Sequence, residues 1–239
     1  MLHKYSAMKR LAIIILCISV LGACRYKTGS GNIITEKRNT GAFTAIAVGG
    51  GFEVELRHSD ITEVTVEADD NLIKYIKTVV VDGQLKIKLD NINVHDAHLK
   101  VFLAAPEIND INASAAATVE VRDELKSGGS IRLHASSGAE IKTVLDAPEI
   151  VVNASSGGEL NLSGRTRNLK ATASSGSTIK AKELQSENTD VTASSGSSAS
   201  VHASLQLVAK ASSGANITYR GAASVRKTVS SGGEVEKNE

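Results

Sequence analysis

The chain has 239 residues with 27 basic and 26 acidic side chains, a formal net charge of +1, and only 3% aromatic residues with no Trp. This balance excludes the basic footprint of a nucleic-acid binder. The scarcity of rings excludes extended aromatic platforms for stacking bases or sugars.

Met8-Lys9-Arg10 opens a positive segment, and Leu11 to Val20 form an apolar run too short to span a bilayer comfortably. Leu21-Gly22-Ala23-Cys24 follows, which reads as a secretory signal ending in a bacterial lipobox. The expectation is removal of residues 1–23 and a diacylglycerol on Cys24, with either Met1 or Met8 as the true start. Lys4, Lys9 and Arg10 leave with the signal, so the mature chain is slightly acidic. Cys24 is then its sole cysteine and no internal disulfide is expected. Residues 24–39, with Lys27-Thr28-Gly29-Ser30-Gly31-Asn32, read as a flexible tether.

From 40 to 104 the pattern is irregular. Phe43 to Val48 and Phe52 to Leu56 flank Gly49-Gly50-Gly51, and Ile61 to Glu67 alternates as a strand. Asp69 to Ile76 reads as one helical turn or two, and Asp82-Gly83 between two apolar runs marks a hairpin. His98 to Leu103 leads to Pro106, and Ala105-Pro106-Glu107-Ile108 recurs as Ala147-Pro148-Glu149-Ile150. The expectation for this portion is a set of wider turns that cap a stack.

The stack is announced from 105 to 235 by one phrase. Ala135-Ser136-Ser137-Gly138 recurs from Ala154, Ala173, Ala193 and Ala211, with a worn copy at Ala113 and a last one at Val229; the starts lie 22, 19, 19, 20, 18 and 18 residues apart. A near-constant period of this size means one structural turn per copy. Counted from each Gly, positions −7, −5, −3 and +3 are apolar in nearly every copy, with His, Asn, Thr, Lys, Arg and Asp among the residues between. That is the period of two of a half-buried strand. The fold predicted is all-β: a right-handed parallel β-helix of about seven short C-terminal turns, two strands per turn, on the order of 30 Å long. Residues 236–239 are a charged tail. Ser137 and its equivalents at −1 are expected to face inward as a ladder. Lys227 stands as an outlier at −5.

Chemistry is sparse. His95 and His98 lie in a loop without a carboxylate or Cys set at zinc spacing, so no metal is expected and no cofactor is implied. His134 and His202 fall in different columns. Glu140 and Glu159 are the one adjacent carboxylate pair on the +2 side. About 5 Å apart by the strand spacing, they would suit a retaining glycosidase. No serine column pairs with a His and an acid, and the chain is read as non-enzymatic.

The Gly-centred stretch from Phe43 to Leu56, Asp70-Asn71-Leu72, Val81 to Ile87 and the Ala-Ser-Ser-Gly repeats together resemble the "putative auto-transporter adhesin" family with a head GIN domain, found among Bacteroidetes-type lipoproteins. The resemblance covers about 40 to 235, and it implies a β-helical fold, adhesion and no catalytic residues. It implies an outer-membrane, lipid-anchored protein of the cell envelope. The Arg25-Tyr26-Lys27 that follows Cys24 lacks an acidic export-like cluster, so the periplasmic and surface sides both stay open. The expected binding face is the −4 column, His134, Asn153, Thr172, Thr192, Lys210 and Thr228. Glycans, other envelope components or a second copy are the partners it would fit. An envelope scaffold is the alternative, and a polysaccharide-active enzyme the remote one.

Overall fold

The structure is a computed structural model that describes residues 26–238. Cys24 and the signal segment lie outside the described residues. The apolar columns become the walls of a β-solenoid of about six turns. In the first sheet the strands Asp110–Ser114, Ser130–Ser136, Glu140–Ser155, Glu159–Ala173, Thr178–Ala193, Gln206–Ala211 and Ser224–Val229 stack in parallel. Their register aligns Ala113, Ala135, Ala154, Ala173, Ala193 and Ala211 in one buried row. The second sheet aligns Val119, Ile141, Leu160, Ile179, Ala199, Ile217 and Val235 against it. All seven of these are buried. Burying one such Ile or Leu contributes about 1.5–3 kcal/mol, and each turn obtains that only from its neighbours. The thin Ala row lets the two sheets approach closely.

The corners between the sheets are made by the repeated phrase itself. Ser137 and Gly138 have φ of 52° and 74°, and the same two left-handed residues recur at every full copy down to Ser231 and Gly232. Two consecutive left-handed residues are the requirement of a type I′ turn, and the Ala139 N–H closes it on Ser136 O at 3.1 Å. Gly138 N–H then donates to Ser156 O of the following turn, also at 3.1 Å, so the corners form their own ladder. This corrects the expectation for the −1 serines. Ser137, Ser156, Ser175, Ser195 and Ser213 are exposed, because the left-handed residues break the strand alternation at the corner. The inward serines are the +1 residues Ser177 and Ser197, each 1% exposed. Their hydroxyls donate to Ala154 O at 2.9 Å and Ala173 O at 3.0 Å, one turn back.

In the middle three turns the chain passes from one corner to the next as single strands of 16, 15 and 16 residues. Opposite the corners they bend instead of turning. At one bend Gly164 has φ of 109°, and a Cβ there would run into the Leu145 backbone carbonyl. Thr189, the lone hydroxyl in the −7 column, is 3% exposed. Its Oγ1 contacts Ser186 Oγ at 2.6 Å and donates to His202 O at 2.8 Å, which is how a polar group sits in that apolar row.

The N-terminal portion does not stack in sequence order. Ala45–Gly49 pairs in parallel with Asp110–Ser114 on one side and Gln84–Leu89 on the other. The turn built by Ala45–Gly49 and Glu53–His58 is therefore the second layer. From it the chain runs outward through Glu63–Asp69 and the 3-10 turn Ile73–Tyr75, then through the hairpin of Ile76–Val81 with Gln84–Leu89. It re-enters as the outermost parallel layer and steps past the earlier turn to reach Asp110. Antiparallel strands close this end: Ile33–Arg38 on Glu63–Asp69, and Ile76–Val81 on Gln84–Leu89. Phe52, Leu72 and Ile76 fill it.

The segment expected to be a loose tether is bound to the fold. Tyr26–Thr28 pairs in parallel with Asn93–His95. Asp69 accepts the Gly31 and His98 amides at 2.7 Å each. Asp70 accepts Ser30 Oγ at 2.6 Å and Asn32 Nδ2 at 2.8 Å, and Asn71 Nδ2 donates to Thr28 O at 2.9 Å. Three successive side chains thus strap down residues 28–32. The far end is open by contrast, with Val229 49% exposed. There Lys227 takes the place of an apolar residue, lays its ammonium 5.4 Å from the Tyr219 ring centre and donates to Val235 O at 3.0 Å.

Candidate binding surfaces

The alternation that buries the −5 and −3 residues turns −8, −6, −4 and −2 outward on the first sheet. Ladder register places His134, Asn153, Thr172, Thr192, Lys210 and Thr228 side by side, one per turn. The half-buried Ser136, Ser155, Ser174, Ser194 and Ser212 run along one flank. Beyond the other flank runs a row that sequence reasoning passed over: Glu149, Asn168, Asn188 and Gln206. Asn188 Nδ2 donates to Asn168 Oδ1 at 3.1 Å. Together with Lys170, Asp190 and Val208 these residues line a shallow groove of about 260 Å³. The polar run at −8 in the repeat was the signal that would have found it.

Two larger clefts lie on the side opposite the corners. One, of about 440 Å³, is lined by Leu56, His58, Pro106, Ile108, Asp123 and Leu125 among others. The second, of about 590 Å³, carries Asp146, Arg165, Arg167, Gln185 and His202. Arg165 donates to Asp146 at 2.6 Å and holds that carboxyl below its ordinary range. His202 has its Nδ1 buried without a partner among the described residues. His134 stands on the first sheet and His202 on the second, so the two imidazoles do not meet.

The second sheet's outer face is an ionic lattice. Glu55, 8% exposed, receives Arg122 and Arg57, each at 2.8 Å. Arg122 first and Arg57 second draw its carboxyl down to about 2. Glu140 and Glu159 are neighbours in register, and Asn161 Nδ2 bridges them at 2.8 and 2.9 Å. Lys180 pairs with Glu159 at 2.5 Å; this contact foremost, and then Asn161, keeps the Glu159 carboxyl low. In a retaining pair one carboxylate stays ionised as nucleophile while its partner is held protonated near neutral pH as the acid, and Glu159 suits only the first of these roles. Asn161 and Lys180 tie the two carboxylates into a strut between turns. His98 Nε2 lies 2.7 Å from Glu67, and His95 Nε2 lies 3.1 Å from Asp96. Among the described residues no three His, Cys, Asp or Glu side chains gather as a metal site. No helix there is long and apolar enough to cross a membrane.

A family model described as "Putative auto-transporter adhesin, head GIN domain" matches residues 42–223, which takes in the second-layer turn, the cap apart from Ile33–Arg38, and all but the last turn of the stack. The chain belongs to this family. Solved structures share the family's fold. An adhesin, so described as "putative", from Bacteroides fragilis superposes with a TM-score of 0.82 at 18% identity, covering 89% of this chain and 100% of that one. A second from Parabacteroides merdae gives 0.73 at 20% identity, covering 90% and 100%. A "putative lipid binding protein" from Parabacteroides distasonis gives 0.69 at 20% identity, again covering 90% and 100%. At these identities the likeness speaks for the fold. No curated protein matches the chain.

Proposed function

We propose that this protein is a lipid-anchored, non-enzymatic binding module of the cell envelope that presents the outer face of its first sheet to a repetitive partner, with glycans the best fit. The observation that carries this reading is the register itself. His134, Asn153, Thr172, Thr192, Lys210 and Thr228 form a continuous row of polar groups at a strand spacing of about 4.8 Å. Beside it runs the amide groove of Asn168, Asn188 and Gln206. Such a face offers many hydrogen bonds at one repeat spacing and, His134 apart, no ring to stack on, so single contacts would be weak and multivalent ones strong. Self-association along the same face is the other use it would serve. Membership in an adhesin family supports the binding reading. The lipobox ending in Cys24 supports the anchor.

The test is a glycan-array screen of the mature protein, run beside a polysaccharide-turnover assay and protease shaving of intact cells. Saturable binding without turnover is expected. Turnover would replace this reading with an enzyme, and neither binding nor turnover would replace it with an envelope scaffold. A Cys24→Ala variant is expected to leave the membrane fraction or to keep its signal. Undiminished membrane partitioning after carbonate washing would contradict the anchor.

A further inference from the structure

The straps on residues 28–32 leave almost no chain between the fold and the anchor. Tyr26 already belongs to a strand pair, so only two peptide steps separate it from Cys24, at most about 7 Å. The polar layer on each side of a bilayer is about 5–7 Å deep. An acyl group on Cys24 would therefore bring Tyr26 into that layer, with no slack for the domain to stand away.

What surrounds Tyr26 suits that position. Tyr26 itself is 66% exposed. Lys27 and Lys74 hold their ammoniums 4.8 and 5.4 Å from the Tyr75 ring centre. Ile92 and Lys88 share with Tyr26 an open cleft of about 510 Å³. The nearby carboxylates are engaged: Asp69 by the Gly31 and His98 amides, Asp70 by Ser30 and Asn32, Asp90 by Lys77. His95 lies against Asp96. Lys27, Lys74 and Lys88 have no ion pair among the described residues. Tyr and Lys with apolar stems and polar tips are the side chains that settle at a membrane–water interface.

We infer that the N-terminal end of the solenoid, around Tyr26, Lys27, Lys74, Tyr75 and Ile92, is a membrane-docking surface that seats directly on phospholipid headgroups. This rests on the lipid-anchor reading of Cys24. Eight strand steps separate the outermost parallel layer from the last turn, so the Ser230 corner lies about 38 Å from the docked end. The polar face would then be held at a defined orientation instead of swinging on a leash.

The test uses the full acylated lipoprotein in vesicles of phosphatidylethanolamine and phosphatidylglycerol doped with a headgroup-nitroxide lipid. A fluorophore is placed at Asn93→Cys, in register with Tyr26, or at Ser230→Cys. Several-fold stronger quenching at 93 than at 230 is expected. Equal quenching at the two sites, with acylation of Cys24 confirmed by intact mass, would overturn the docking and leave the anchor standing. A mass without the acyl groups would overturn both.

Discussion

The two kinds of left-handed glycine separate conformational strain from steric exclusion. Gly176 has φ of 68° with nothing within 4 Å of a Cβ built on it, so Gly176→Ala should cost only the left-handed penalty, about 1–2 kcal/mol. Gly164→Ala adds a collision with the Leu145 carbonyl and should cost clearly more. Urea unfolding of the two variants measures the difference, and equal losses would mean that the bend relaxes freely. Glu55 is the other informative residue. Its carboxyl sits at about 2 instead of 4.5, so its stabilising contribution is complete above about 4.5 and fades as pH falls toward 2. Glu55→Gln should lose about 1.5–3 kcal/mol at pH 7. Near pH 2 it should lose little, which comparing urea midpoints at the two pH values would reveal.

At the scale of the element, the rows legible in the sequence were those lying in extended backbone. The −7, −5, −3 and +3 columns could be read because alternation holds wherever φ and ψ are those of a strand. The −1 serines were misplaced because that alternation was carried through a corner, where Ser137 and Gly138 reset its phase. Ser177, one step beyond, took the inward position. Ala139 and Ala215 occupy the same buried place, so Ser177→Ala should fit and cost about 1 kcal/mol for the lost hydrogen bond. Ala173→Leu should destabilise by about 1–3 kcal/mol through overpacking. Wild-type melting of the Leu variant would show that the Ala row is not closely packed. Residues 28–32 looked like a tether because Gly, Ser and Asn are locally flexible. Their order comes from Asp69, Asp70 and Asn71, about forty positions away, and no local pattern signals that.

For the whole molecule, the two ends of the stack differ in how they stop. The N-terminal end is closed by antiparallel strands and filled by Phe52 and Leu72, while the C-terminal end exposes Val229 and holds Lys227 across its mouth. An inward charge on an edge strand discourages further strand addition. Lys227→Leu should therefore raise end-to-end association, seen as a concentration-dependent mass in sedimentation. The order of the N-terminal layers was not legible at all, since strand partners chosen across the stack leave no periodic trace. Of the candidate surfaces, the −4 row was legible because it repeats, whereas the clefts opposite the corners arise from bends without a shared motif. The most direct test of the central claim compares two variants of the mature protein for binding to whichever glycan the array selects. Asn153→Lys with Thr172→Lys and Thr192→Lys puts three like charges side by side on the first sheet and should weaken binding strongly. Glu140→Gln with Glu159→Gln alters the other sheet, away from the polar row, and should leave binding within about twofold, a change of less than about 0.5 kcal/mol. Full binding by the Lys variant, or a hydrolytic activity lost in the Gln variant, would contradict the assignment of the face.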